Sequence, residues 1–343
     1  MTRRTHIGSV SGTFVVVSVM LLAAIVLVLF LRSGAEQAPA PPPESAEQIE
    51  QRLTRLQERA SAALEADRAH TVLPDARAFL EDHPDSPDAM VLVGQLLLSQ
   101  REFEEAYDLL DRALALGANS APVHLLAGTI AYEQQQYDAA IKHYQQAVDR
   151  EPDKTGHRLH LAQAYMGSDR LDDAAAVLGE ALQLDSSSAQ GYAMLSDLHA
   201  AREQWTDAAD ALRKALSLSE GEAPEQRHVL IQKLAALMRK QFEPRESLLL
   251  LQSIRDPREP DPMLLRDLAE SWMMLGRPDA AAEEDERAVE LEPMNWRYVA
   301  SASTWRHRAG DDARAREHLQ RLREMNPRTP LIQQLQRKLD SAE

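Results

Sequence analysis

Cysteine is absent from all 343 residues. That excludes a disulfide framework, a thiolate nucleophile, a cysteine zinc site and thiol-linked haem. Catalytic signatures are missing as well: there is no glycine-rich phosphate loop, no His-Glu-x-x-His and no Gly-x-Ser-x-Gly. Positive charge is scarce, with 38 Lys and Arg against 54 Asp and Glu and a net charge of −16. The deficit lies beyond residue 45 and argues against nucleic acid and against broad docking on anionic lipid. Carboxylate pairs such as Glu104-Glu105 and Asp172-Asp173, and the run Glu283-Glu284-Asp285-Glu286, read as solvated helix faces rather than acid/base pairs. The best metal candidate is His157 with His160 one helical turn on and His124 on the neighbouring helix, and it lacks a further ligand in register. No catalytic residue, cofactor or metal site is expected, and the chain reads as a non-enzyme.

What is present is a period. Ala106, Ala140, Ala174 and Ala208 stand 34 residues apart, and after a short insertion Ala281 and Ala315 resume the phase. Units can be laid out as 87–120, 121–154, 155–188, 189–222, 228–261, 262–295 and 296–329. Their eighth positions are Gly94, Gly128, Ala162, Ser196, Ala235, Ala269 and Ser303, and their twentieth are those alanines with Ser247 in the fifth unit. Small residues at both places let two helices cross closely. Larger apolar residues recur at the seventh position (Val93, Leu161, Leu195, Leu234, Leu268) and at the twenty-fourth (Leu110, Tyr144, Leu178, Leu212, Leu251, Leu319), on one face of a 3.6-residue helix. Pro152, Pro293 and Pro327 stop the second helix.

Over about 243 residues this pattern resembles the tetratricopeptide repeat family. The resemblance implies an all-α, right-handed superhelical solenoid of about seven helix-turn-helix repeats whose concave side binds polypeptide. Departures cluster late. The fifth unit follows an extra stretch, Ala223 to Arg227, opens its second helix with Pro244, and ends in a proline-rich run, Asp256 to Pro262, expected to be a kink or hinge. Asp285 stands where a core leucine or aromatic is expected and Arg306 at an eleventh position, so the last units are expected to pack less like the first.

The flanks complete the organisation. Residues 1–12 are read as a cytoplasmic N-terminus and 13–31 as a transmembrane anchor, because Ile7 to Leu31 carries no charge and is long enough for a hydrocarbon core of ~30 Å. A cleaved signal peptide ending near Ser33-Gly34-Ala35 is the other reading. Arg3 and Arg4 precede the run and only Arg32 follows it before Glu36, which places the N-terminus inside. Residues 32–45 form a proline-rich linker stiffened by Ala38-Pro39-Ala40-Pro41-Pro42-Pro43. Residues 46–86 are a degenerate first hairpin, 87–222 are repeats one to four, 223–261 are the degenerate fifth repeat, 262–329 are repeats six and seven, and 330–343 form a polar-backed capping helix. Ile49, Leu53, Leu56, Ala60 and Ala63 also fit a short dimerising coil.

In the family the second, fifth, ninth, twelfth and thirteenth positions line the groove. Carried over to this chain, they give an apolar, amide-rich half of Val91, Gln95, Leu98, Leu125, Thr129, Tyr132, Leu159, Gln163 and Met166, and a basic half that includes Arg239, Lys240, Arg266, His307 and Arg308. The implied ligand is an extended segment with an apolar stretch and an acidic end. The fifth positions, such as Val91, Leu125 and Arg266, do not match the lysine and asparagines of a chaperone-tail clamp. The expected protein is a single-pass scaffold in a bacterial inner membrane with its repeats in the periplasm, holding a protein or peptide for envelope assembly. The candidate pathways are cytochrome c maturation, secretion, pilus biogenesis and polysaccharide export. A self-assembling structural protein using residues 46–66, and an accessory subunit of an envelope enzyme, stay open.

Overall fold

The computed structural model describes residues 44–221, 223–326 and 330–340. The membrane helix expected over 13–31, the leader before it and most of the proline-rich linker lie outside those residues. Among the described residues no helix is long and apolar enough to cross a membrane. All regular structure there is helical. It runs α1 Ala46–Glu65, a 3-10 turn Ala69–Thr71, α2 Leu73–Asp82, α3 Pro87–Ser99, α4 Phe103–Ala115, α5 Ala121–Glu133, α6 Tyr137–Arg150, α7 Thr155–Gly167, α8 Leu171–Leu184 and α9 Ala189–Ala201. It continues with α10 Trp205–Leu218, α11 Pro224–Lys240, α12 Pro244–Ser253, α13 Pro262–Met274, α14 Pro278–Leu291, α15 Trp296–Arg308, α16 Asp312–Met325 and α17 Pro330–Asp340.

The chain divides into two compact units, residues 1–61 and 62–343. The described part of the first is most of α1, on which Ile49 and Leu53 are half-buried and Leu56 and Ala60 are buried, all on one stripe. The second is a stack of helical hairpins. From α3 onward each odd-numbered helix pairs with the even-numbered one after it, and each pair packs on the next. First helices of successive hairpins also touch directly, α3 with α5, α7 with α9, and α11 with α13, whereas no successive second helices come as close among the described residues. The first helices therefore form the inner, concave layer.

Close crossing explains the small residues. Gly94, Gly128, Ala162, Ser196, Ala235, Ala269 and Ser303 are all buried, as are Ala106, Ala140, Ala174, Ala208, Ser247, Ala281 and Ala315. A Cβ added at Gly128 would lie 2.7 Å from the ring of Tyr144, itself 2% exposed. The helices start and stop by local chemistry. Ser86, Ser188, Asp261 and Asn295 cap first helices by accepting from the backbone N–H groups of Ala89, Gly191, Met263 and Arg297. Inside every hairpin the chain reverses through one left-handed residue: Arg101, Gln135, Asp169, Glu203, Phe242, Gly276 or Gly310.

The fifth unit departs in detail from its expectation. Ala223 immediately precedes α11, and Pro224 to Arg227 form its first turn, so the extra stretch lengthens a helix rather than adding a linker. Pro244 sits at the start of α12, where its missing N–H has no helical partner to lose. The stretch Asp256 to Pro262 lies within the second compact unit. Just before it, Arg255 reaches Glu284 of α14 with two bonds of 2.9 and 3.0 Å. The two polar departures are also absorbed by packing. Asp285 Oδ2 accepts from Trp305 Nε1 at 2.7 Å, and Arg306 Nε donates to Glu286 Oε1 at 2.7 Å, the same oxygen that meets His318 Nε2 at 3.0 Å. At the end of the array α17 lies on α15 and α16, burying Ile332, Leu335 and Leu339.

Two glycines separate crossing from propensity. Gly128→Ala should lower stability by about 1–3 kcal/mol through overpacking on Tyr144. Gly179→Ala, on the exposed face of α8 with nothing within 4 Å of its new methyl, should raise it by up to about 1 kcal/mol. Urea denaturation of the two variants checks both signs.

Candidate functional site

The groove residues of the N-terminal half lie on α3, α5 and α7. Gln95 and Gln163 are exposed, while Val91, Leu98, Leu125, Thr129, Tyr132 and Met166 are half-buried. Leu125 and Tyr132 pack partly on the core around Tyr144, and Thr129 accepts from the Tyr144 hydroxyl at 3.2 Å. These side chains both close the seam between neighbouring first helices and leave a face toward solvent. Leu159 differs from its expectation. It is 4% exposed and packs with Ala162, Leu178 and Leu198, because its side chain turns into the seam instead of out of it.

In the C-terminal half, Ala236, Arg239, Lys240, Arg266, Glu270, Met273, Met274, Trp305 and Arg308 line one concavity of about 770 Å³ across α11, α13 and α15. Four of the five predicted basic residues thus meet around one space. Their states differ. The Arg239 guanidinium is 11% exposed, 2.7 Å from Asp267 and 3.3 Å from Glu270, so it braces α11 against α13 rather than offering a free charge. Arg266 lies 3.7 Å from Glu270. His307 bonds Asp312 at 2.6 Å, which ties the end of α15 to the start of α16, and it is absent from the lining. Lys240 and Arg308 are exposed.

Trp305 was missed by the positional pattern because it occupies a tenth position. A signal was nevertheless available: three of the four tryptophans, Trp272, Trp296 and Trp305, fall in the basic half. Trp305 links the groove to the interior, since its N–H binds buried Asp285. The other carboxylate oxygen of Asp285 makes no well-aligned hydrogen bond among the described residues. Burial pushes the Asp285 carboxyl up to about 7 against the pull of the Trp305 N–H and of the Ser301 hydroxyl nearby. A carboxyl raised in the folded state contributes stability that is complete below its unfolded value and is lost as pH rises through about 7. Asp285→Asn should therefore stabilise the fold at pH 8 by on the order of 3 kcal/mol and have little effect near pH 4. Melting curves at both pH values test this.

The histidines do not converge as the metal candidate requires. His157 Nε2 lies 3.0 Å from Glu151, and His160 stacks on Tyr144 with centroids 5.4 Å apart. His124 turns instead to His143, Nδ1 to Nδ1 at 3.2 Å. His124 Nε2 lies 2.7 Å from Asn119 Oδ1, an acceptor, so its proton sits on Nε2 and its Nδ1 must accept from His143. His143 Nε2 then accepts from the Tyr107 hydroxyl at 3.4 Å. This chain leaves both rings neutral. Burial lowers His124 to about 4, helped by the charge of Arg150 and by the cost of protonating it beside His143, and burial lowers His143 as well. A base lowered on folding contributes stability above its unfolded value that is lost as pH falls. The array should lose stability between pH 6.5 and about 4, and His124→Gln should flatten that slope in thermal melts across the same range.

The tetratricopeptide repeat family model matches residues 131–198, and the model of anaphase-promoting complex, cyclosome, subunit 3 matches residues 60–147. A human relative, Protein O-mannosyl-transferase TMTC1, is 29% identical over 130 residues, which is 38% of this chain and 15% of that protein. The chain thus spans a small part of that relative's length. A tetratricopeptide repeat protein from Parabacteroides merdae ATCC 43184 superposes with a TM-score of 0.57 at 12% identity, covering 74% of this chain and 99% of that one. A chain of the APC/C hetero-tetramer Cut9-Hcn1 gives 0.52 at 15% identity, covering 83% and 55%.

Proposed function

We propose, from the tetratricopeptide repeats that the family model matches over residues 131–198, that the chain is a non-enzymatic scaffold whose concave face holds an extended segment of a protein partner. The supporting observation is the inner layer of first helices. It offers exposed amides and cations, Gln95, Gln163, Lys240 and Arg308, beside half-buried Leu98, Leu125, Tyr132 and Met166. Such a surface combines side chains that bond a peptide backbone with apolar ledges that receive its side chains. Gln95, Gln163, Lys240 and Arg308 are exposed, which leaves them accessible to a ligand.

The cellular reading rests on the sequence. The uncharged run from Ile7 to Leu31, with Arg3 and Arg4 before it, supports a single-pass anchor in a bacterial inner membrane, N-terminus in the cytoplasm and repeats in the periplasm. The linker 32–45 would then stand the array off the bilayer, and envelope assembly is the setting such a layout serves.

In-cell photocrosslinking tests the scaffold. Photoreactive residues at Leu125, Tyr132 and Lys240 should each capture the same envelope protein, identified by mass spectrometry, while a probe at buried Leu159 captures none. Recovery of copies of this chain alone would replace the scaffold with self-assembly. No adduct at any concave site would sink it.

A further inference from the structure

Three cations of the C-terminal half stand apart from the rest. Arg239 and Arg266 are engaged by Asp267 and Glu270. Lys240, Arg297 and Arg308 are exposed and have no carboxylate within ion-pair distance among the described residues. Each lies over an indole instead: Lys240 at 5.8 Å from the ring centroid of Trp205, Arg297 at 5.4 Å from Trp296, and Arg308 at 5.2 Å from Trp305. An indole face holds a cation in place without neutralising it. In a chain of net charge −16, with ion pairs along most of its length, unneutralised cations on one concave strip are a local reversal of sign.

The strip is continuous. The concavity lined by Lys240, Met273 and Arg308 shares Arg266 and Trp305 with a second depression, about 320 Å³, lined by Trp296, Arg297 and Thr304. Its apolar floor is Met273 and Met274 with the indole edges, and methionine adapts to varied side chains. The indole faces carry cations already, which leaves little room for stacking by a sugar ring or a nucleobase. A flexible chain bearing carboxylates meets both demands, because charge-assisted bonds form on the outward side of each cation while apolar side chains reach the methionines.

We propose that this strip docks an acidic polypeptide segment, its carboxylates on Lys240, Arg297 and Arg308 and its apolar side chains on Met273 and Trp305. The assignment rests on the scaffold reading and narrows it to one half of the concave face and one sign of charge.

The test uses the full-length chain and a fluorescein-labelled dodecapeptide of repeated Glu-Glu-Leu, read by fluorescence anisotropy. A matched peptide with Gln for Glu should bind at least about tenfold more weakly, a difference of about 1.4 kcal/mol. Added salt should weaken the acidic peptide by screening. The double variant Lys240→Glu with Arg308→Glu should lose at least about tenfold in affinity while the array still melts in a cooperative transition, since both side chains are exposed. Equal binding of the two peptides overturns the proposal. So does an unaffected double variant, or binding of oligogalacturonate in place of the peptide. Failure of the scaffold reading is distinguishable. A partner still crosslinked through Leu125 and Tyr132 in the double variant removes only the acidic docking strip, whereas loss of all concave adducts in the parent chain removes the scaffold.

Discussion

At each hairpin crossing there is room for nothing larger than a hydroxymethyl group, and the rest of the molecule is arranged around that limit. With Ala, Gly or Ser on both sides, two helices approach until the larger residues beside them interlock. Leu110, Tyr144, Leu178, Leu212, Leu251 and Leu319 fill that space and are at most 2% exposed. The pairing leaves each hairpin with an unsatisfied apolar face, so it packs on the next. Stacking in one direction then draws the first helices inward. Groove, core and curvature thus share one cause, the narrowness of the crossing.

The same frame shows where polar residues have been admitted. Asp285 occupies the twenty-fourth position, which holds Leu or Tyr in every other unit, and it is fully buried. Its bond to Trp305 fixes that indole where it lines the groove. Next to it, Glu286 gathers Arg306 and His318, and Glu284 receives Arg255 and Arg287. The C-terminal units therefore exchange part of their apolar packing for oriented polar contacts, which rigidify a site when satisfied and carry a penalty where they are not. The N-terminal units make a smaller exchange, the neutral chain from Tyr107 through His143 and His124 to Asn119.

The architecture was legible because its signal repeats. One small residue at the eighth position means little, and seven in phase specify a crossing. Two helix ends were legible as well, from Pro152 and Pro293 just past the last turns of α6 and α14. Individual groove residues were harder to read, since position in a repeat does not tell which way a long side chain turns. Arg239 is drawn to Asp267 and Glu270 on the next helix, and Leu159 fills a seam, while Lys240, one residue from Arg239, stays in solvent. The His124 and His143 contact joins two helices of one hairpin, a pairing that a search along one helix at a time passes over. The shared lining of Trp305 and Arg308 was hidden because neither partner of a cation and indole pair marks itself in one dimension.

Within each hairpin the reversal passes through one left-handed residue, and its identity is free: Arg101, Gln135, Asp169, Glu203, Phe242, Gly276 or Gly310, all exposed. The two flanking helices hold that backbone angle, so the residue need not favour it. Evolution is left with seven recurring addresses along one rim, where chemistry can be rewritten without disturbing the packing beneath. Phe242, 84% exposed, shows how far such a slot can be taken from what a turn would choose.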